Sequence, residues 1–271
     1  MRGATMNKQR RPARGLLAAA FWLAVWQAGA MAVGLPVLLA SPLDTVLRLG
    51  ALARTGDFWR SILYTLGHIL AGYALASSAG ILLAALARRF APVYDLLSPL
   101  MSVLRSVPVA SFVIAALIWV PSKRLSVLIA TVIVLPVVYA GTLDGIRQID
   151  PLLTEMARVF RMSRLNRLRC LALPAVLPSL GAALSTAMGL AWKSGVAAEV
   201  IGIPSGSIGE KLYRAKVYLA TPDLFAWTLT IVLISAGCTK LMRLGLGALT
   251  SRLCRGGGPE VGKDEHGPDT P

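Results

Sequence analysis

Long apolar runs alternate with short charged segments along this chain. A bilayer core of roughly 30 Å needs about 20 apolar residues in a helix. Six windows have that length and composition, and each predicts a membrane-spanning helix: 15–40, 62–87, 97–120, 125–143, 171–200 and 224–246. The fifth window is long enough to tilt or break. The pattern therefore predicts an all-α, polytopic membrane protein with six transmembrane helices.

The segments outside these windows are polar for different reasons. Residues 41–60 carry Asp44, Arg48, Arg54 and Asp57 among leucines, which is typical of an amphipathic helix at the membrane interface. Residues 1–14 form a basic tail, and residues 251–271 are rich in Gly, Pro and acidic side chains, which indicates disorder. The first window could also belong to a cleaved signal peptide, but its apolar run exceeds the length of a signal core, so an uncleaved helix is preferred.

Composition and charge support a membrane location. The hydrophobic fraction is 55%, charged residues make up 15%, and the mean hydropathy is +0.65. In the six-helix arrangement, roughly twice as many Lys and Arg side chains lie on the side of both termini as on the other side. We therefore expect a multi-pass membrane protein, in contact with lipid, with both termini cytoplasmic. The net charge of +15 then reflects topology, and no aromatic and basic recognition pattern indicates nucleic-acid binding.

Three ionisable residues lie within the apolar windows, namely Arg105, Lys193 and Glu199. A charge inside a bilayer is costly unless it is paired or hydrated, so two interpretations remain open: contacts between helices or with the interface, and the lining of a translocation pathway. Lys193 and Glu199 are separated by about 240° on a regular helix and do not face each other, although Gly195 could break the regularity. If Arg105 or Lys193 lines a pathway, an anionic or zwitterionic solute is favoured.

Catalytic and metal chemistry finds little support in the sequence. The two histidines, His68 and His266, lie far apart, and the cysteines have no metal-ligand spacing. A membrane-embedded enzyme is therefore the less favoured alternative, and no cofactor or metal is expected. The stretch "GIPSGSIGEKLY", residues 202–213, lacks the Gly-Lys-Ser/Thr ending of a phosphate-binding loop and is interpreted as an outer loop or gate.

The segment between the fourth and fifth windows concentrates arginine in an otherwise apolar chain. Asp150 and Pro151 form a favourable helix start, and Ser163 offers a second N-cap. These signals predict two short helices joined by a turn at residues 161–163. Pro174 and Pro178 lie just inside the next window, where a bent helix start would let this helical hairpin project from the membrane.

The stretch "EMARVFRMSRLNRLRCLALPAVLP", residues 155–178, resembles the cytoplasmic EAA loop of permease subunits in binding-protein-dependent ABC importers. That pattern has E-A-A, a glycine four residues after the second alanine, and a distal L-P. Glu155, Ala157 and Pro174 match, whereas Met156 replaces the first alanine and Arg161 occupies the glycine position. Either Arg161 adopts the left-handed conformation, or the turn is built differently. The stretches "LRSVPVASFVIAALIWV" and "GTLDGIRQIDPLL" are similar to the nitrate, sulfonate and taurine branch of these permeases.

The resemblance implies a type I ABC importer permease fold, a location in a prokaryotic cell membrane and a set of partners. Two permease copies, expected to be a homodimer, would form the pathway within a transport core at residues 61–246. ATPase subunits would hydrolyse ATP and dock on the coupling loop at 144–170, and an external binding protein would deliver the solute. Glu155, Ala157, Arg158 and Arg161 are the expected docking residues. Nitrate, a sulfonate or taurine is the implied solute, and an unrelated solute such as a vitamin or pyrimidine precursor remains open.

Overall fold

The computed structural model describes residues 10–35 and 37–255. Its helices in chain order are α1 Arg10–Val33, α2 Pro42–Ala53, α3 Gly56–Arg89, α4 Ala91–Ser106, α5 Val109–Ala116, α6 Ser122–Arg147, α7 Pro151–Val159, α8 Arg164–Arg167, α9 Leu173–Gly202, α10 Ile208–Val217 and α11 Thr221–Arg255, with a π-helical turn, Leu168–Ala172, between α8 and α9. Within the described ranges there is no strand, so the all-α prediction is confirmed.

The two predicted tails fall largely outside the described residues. Residues 1–9 of the basic tail and residues 256–271 of the acidic tail lie there. The described parts of both tails are helical, because α1 begins at Arg10 and α11 continues to Arg255. Helix α11 thus includes the first five residues of the tail predicted at 251–271.

Four helical stretches are long and apolar enough to cross a membrane: Gly56–Arg89, Ser122–Arg147, Leu165–Gly202 and Thr221–Ala248. The third predicted window is not one helix, because α4 and α5 meet at an angle of 102°. Pro108 explains the break, since a proline disfavours helical backbone in the residue before it, and Val107 is extended with ψ 126°. Together with α1, this broken span keeps the architecture compatible with six crossings.

The first apolar helix is shorter than predicted. Helix α1 ends at Val33 instead of reaching residue 40, because Gly34 takes a left-handed φ of +63° and its N–H bonds to the Ala30 carbonyl at 3.1 Å. Its apolar stretch, Leu17–Val33, is below the usual length of a span. Trp26 fastens it to the rest of the chain, donating to the Ala40 carbonyl at 3.1 Å and stacking on Phe225.

The amphipathic segment predicted at 41–60 is divided between two helices. Ser41 caps α2 by accepting a hydrogen bond from the Asp44 N–H at 3.1 Å, and α2 ends at Ala53. The first turn of α3 already begins at Gly56, so the end of the segment belongs to a span. An ion pair between Arg48 and Asp223 joins α2 to the start of α11. The carboxylate of Asp223 raises the pKa of Arg48, chiefly through the hydrogen bond.

The centre of the molecule is the packing of α6 against α3 and α9. Small residues allow the backbones to approach. A Cβ on Gly72 would lie 2.6 Å from the Val127 carbonyl oxygen, and one on Gly141 would lie 2.2 Å from the Ala183 Cβ. Such contacts drive helix association where lipid removes the hydrophobic effect. Helix α9 runs unbroken through Gly195, so the possible irregularity there is absent.

Candidate functional site

Residues 150–170, called the coupling hairpin below, form the predicted pair of short helices. The Asp150 carboxylate caps α7 by accepting from the Leu152 N–H at 2.8 Å, and Pro151 occupies the first turn. Helix α7 ends at Val159, and Ser163 Oγ then accepts from the Asn166 N–H at 3.3 Å as α8 begins. The helix starts predicted at Asp150 and Ser163 are thus confirmed. Pro174 follows in the first turn of α9 and Pro178 lies inside that helix.

The turn of the hairpin reverses the direction of the chain although no glycine lies in it. Arg161 adopts the left-handed conformation with φ 48°, and the Met162 N–H bonds to the Ala157 carbonyl at 3.0 Å. A residue with a Cβ stores about 1–2 kcal/mol in this conformation. Arg161 therefore adopts the left-handed conformation, under some strain, at the position where the EAA pattern has glycine.

The hairpin presents an uncovered apolar face. Val159 is 78% exposed and Phe160 is 73% exposed, with Leu152 and Met156 also exposed beside them. Ala157 lies behind that face, only 3% exposed, so its small side chain is packed within the chain. An exposed apolar patch on a short helix is typical of a surface that a partner covers.

Charged side chains surround a cavity beside the hairpin. It has a volume of about 480 Å³ and is lined by Glu155 and Arg158 of α7, by Arg167 of α8 and by Arg88 at the end of α3. Among the described side chains, no ion pair joins Glu155 to these arginines. The carboxylate and guanidinium groups are therefore available to a partner. Arg161 is also exposed, at the tip of the turn.

The three predicted ionisable residues of the spans lie in different environments. Arg105 Nη2 donates to the Pro136 carbonyl at 2.8 Å, across the space between α4 and α6. Lys193 is exposed on α9, and within the described part of the chain it forms no ion pair. It does not meet Glu199, as their spacing predicts. Whether Arg105 and Lys193 line a pathway stays a prediction.

Glu199 is fully buried at the junction of three helices. Its Oε2 accepts from Thr65 Oγ1 of α3 at 2.8 Å and from the Gly209 N–H of α10 at 3.3 Å. Thr65 Oγ1 in turn accepts from the Ile208 N–H at 3.0 Å. We call Thr65, Glu199, Ile208 and Gly209 the α10 polar cluster. It fastens the start of α10 to α3 and α9, which favours the structural interpretation of Glu199.

Sequence reasoning missed most of this cluster. The sequence pattern predicts an outer loop or gate at residues 202–213, whereas α10 begins at Ile208 within them. The available signal was Ser207 followed three residues later by Glu210, a capping pattern. Ser207 Oγ accepts from the Glu210 N–H at 3.0 Å, and Glu210 Oε2 accepts from the Gly206 N–H at 2.6 Å. The involvement of Thr65 had no local signal, because it lies 134 residues from Glu199.

No group of three or more His, Cys, Asp or Glu side chains in the described ranges is arranged to hold a metal ion. The described His68 is instead part of a local contact, with Nδ1 2.8 Å from the Tyr64 carbonyl and its ring stacked on the Tyr64 ring.

Comparison with known proteins identifies relatives of this arrangement. Residues 76–254 match the family described as binding-protein-dependent transport system inner membrane component. The chain is 28% identical to the putative aliphatic sulfonates transport permease protein SsuC of Bacillus subtilis (strain 168), over 85% of this chain and 84% of that protein. It is 30% identical to the bicarbonate transport system permease protein CmpB of Synechococcus elongatus, over 57% of this chain and 55% of that one.

A solved structure shares the fold. It is a chain from the crystal structure of an amino acid ABC transporter with histidines, with a TM-score of 0.57 and 19% identity. The match covers 75% of this chain and 97% of that chain. At this identity the likeness concerns the fold alone.

Proposed function

The chain belongs to the family of binding-protein-dependent transport system inner membrane components, and from that premise we propose how its surfaces serve an ATP-driven ABC importer. It is a multi-pass permease subunit of the cell membrane. Its two roles are to form part of the solute pathway and to couple that pathway to the conformational changes of an ATPase. ATP hydrolysis is assigned to a separate subunit.

The coupling hairpin is the proposed docking site of the ATPase. The observation that carries this proposal is the uncovered apolar face of α7, which lies beside Glu155 and Arg158. A groove on the ATPase would cover Val159 and Phe160, and the charged side chains would set the orientation. Ala157 keeps α7 close to the rest of the chain, and Arg161 forms the tip of the turn.

The pathway is proposed to lie between two copies of this chain, with a homodimer as the simplest arrangement. Arg105 and Lys193 are the residues proposed to line it, because both are exposed in the single subunit although they lie in spans. Glu199 would act on the pathway through α10, which it holds in place. An external solute-binding protein would deliver the solute to the side of the membrane opposite the coupling hairpin, next to α10.

The proposed solute is a small anion or a zwitterion. Two cationic side chains in the spans support this class, and relatives are named for aliphatic sulfonates and for bicarbonate. Nitrate and taurine share the same chemistry of a compact group of negative oxygens. The same architecture importing an unrelated solute, such as a vitamin or pyrimidine precursor, is the second candidate, and the ligand that copurifies with the binding protein distinguishes the two.

The docking proposal is tested by charge reversal and added bulk in the hairpin. Glu155→Lys and Ala157→Arg should each reduce copurification of the ATPase while the permease still inserts into the membrane. Lys123→Glu is the matched control, since Lys123 is an exposed charge at the other end of α6. Wild-type ATPase yield with both hairpin variants contradicts the proposal, as does an equal loss with the control.

A further inference from the structure

A cavity of about 420 Å³ lies between α4 and α6, apart from the coupling hairpin and the α10 polar cluster. Its lining is polar for a membrane protein. Ser98, Ser102 and Ser106 are spaced by four residues and share one face of α4, with Arg105 beside them. Tyr139 and Arg147 face them from α6. Lipid chains do not solvate such a surface, so water, a polar ligand or polar groups of another subunit have to cover it.

The position of Arg105 places this cavity deep in the membrane. Its guanidinium bonds to the carbonyl of Pro136, eleven residues before Arg147 at the end of α6. At the rise of an α-helix, that is about 16 Å from the end of the helix. In a core of roughly 30 Å, the guanidinium lies near the middle of the bilayer. The cavity therefore extends from that depth to the level of Arg147.

The side chains that line the cavity have more hydrogen-bond donors than the described acceptors around them use. A guanidinium has five N–H donors, and the described contacts of Arg105 use one of them. The hydroxyl of Tyr139 is buried without a hydrogen-bond partner, on a side chain that is 4% exposed. Such buried groups require an explanation, and a ligand with several acceptor oxygens supplies one. The lining has two arginines against one carboxylate, Asp144, which leaves an excess of one positive charge.

We propose that this cavity, with Arg105 and Tyr139 as its inner donors, binds a small oxyanion of single negative charge during transport. The inference rests on the proposed function, since it names where that pathway holds its solute and of which class. A sulfonate or nitrate-like group has three acceptor oxygens, and the Arg105 guanidinium, the Tyr139 phenol and the Ser102 hydroxyl are donors in the lining that suit it. Arg147, whose guanidinium lies 5.1 Å from the centre of the Tyr94 ring, marks the other end of the cavity.

The charge and hydration of the cavity can be measured without knowing the solute. Cys170, Cys238 and Cys254 are replaced by Ser or Ala, and Ser102→Cys is introduced into the full chain, purified with its ATPase in lipid nanodiscs. The probes are two methanethiosulfonate reagents, one carrying a sulfonate and one carrying a trimethylammonium group. At position 102 we expect the anionic reagent to react faster than the cationic one. The ratio of the two rates there should exceed, on the order of tenfold, the same ratio at a control Ser205→Cys in the exposed loop before α10.

Competition and a second substitution make the test specific. Sodium methanesulfonate should slow labelling at position 102 severalfold, whereas sodium chloride at equal ionic strength should not. Arg105→Gln should abolish the preference for the anionic reagent, and Arg105→Lys should retain much of it. Neither substitution should change labelling at position 205.

Equal rates for the two reagents at position 102, or an absence of labelling there, would overturn the proposal. The methanesulfonate competition tests the proposal on the Ser102→Cys protein itself, even if the Arg105 variants fail to fold. Copurification of the ATPase is recorded on the same preparations. An ATPase that copurifies normally without an anion preference refutes this inference alone. An anion preference together with wild-type ATPase yield from both Glu155→Lys and Ala157→Arg refutes the docking proposal alone.

Discussion

The α10 polar cluster depends on a glycine at position 209, and Gly209→Ala is the sharpest perturbation of it. A Cβ there would lie 2.3 Å from the Glu199 Cβ, 2.5 Å from the Glu199 carbonyl carbon and 2.6 Å from the Val200 nitrogen. Two of these atoms belong to the backbone of α9, so no side-chain rotation relieves the overlap. Helix α10 must move away from α9 by about 1.2 Å or more to restore ordinary contact distances.

The displacement lowers the free energy of unfolding by an amount that can be worked out from the broken contacts. The Gly209 N–H already lies 3.3 Å from Glu199 Oε2, so the movement breaks that hydrogen bond and weakens the one from Ile208 to Thr65. Overpacking costs about 1–3 kcal/mol, and a hydrogen bond lost at a buried carboxyl group costs about as much. A total near 3 kcal/mol corresponds to a fall of about 6–12 °C in the apparent Tm of a chain of this size.

The assay is thermal unfolding of the purified permease complex in detergent, followed by size-exclusion chromatography of the heated samples. Gly189→Ala is the matched control, because Gly189 lies in α9 and a Cβ there meets no atom within 4 Å. Since alanine favours helix over glycine, that variant should be neutral or slightly more stable. Equal apparent Tm values for the Gly209→Ala and Gly189→Ala variants would contradict the close contact between α10 and α9.

Three further outcomes are expected. Arg161→Gly should raise the apparent Tm, because it relieves about 1 kcal/mol of backbone strain at φ 48°. Arg158→Gly inside α7 should lower the apparent Tm. The opposite order in the same melting assay would contradict the assigned turn. Lys193→Met should leave the abundance of the permease unchanged, since the exposed ammonium forms no ion pair within the described chain, and it should reduce solute uptake. A loss of abundance would instead indicate a structural partner of Lys193. A cysteine at Lys123 should react with an impermeant thiol reagent in intact cells, and one at Arg167 only after permeabilisation; external labelling at 167 would refute the orientation.

Local signals in the sequence predicted the local structure of the hairpin well. Asp150 with Pro151, and Ser163, are capping residues whose effect extends over a few positions, and both helix starts are confirmed. The long apolar windows near α3, α6, α9 and α11 likewise predicted spans, because membrane thickness fixes the length that a helix needs.

Features set by distant contacts could not be obtained in this way. Hydropathy averaged across Pro108 hid the bend between α4 and α5, although the proline itself was a usable signal. The burial of Glu199 depends on Thr65 and Gly209, which come from other helices and share no periodic pattern with it. The cavity beside Arg105 likewise requires the face of α4 to meet Tyr139 of α6, a pairing that only the fold establishes.

Photo-crosslinking at the tip of the hairpin tests the central claim most directly. A benzoylphenylalanine at Phe160 replaces one exposed aromatic residue by another, and Tyr218, which is 79% exposed just after α10, provides the matched position near the other membrane face. In the assembled importer, illumination should join position 160 to the ATPase subunit and leave position 218 without that product. A crosslink to the ATPase from position 218 and none from position 160 would contradict the account.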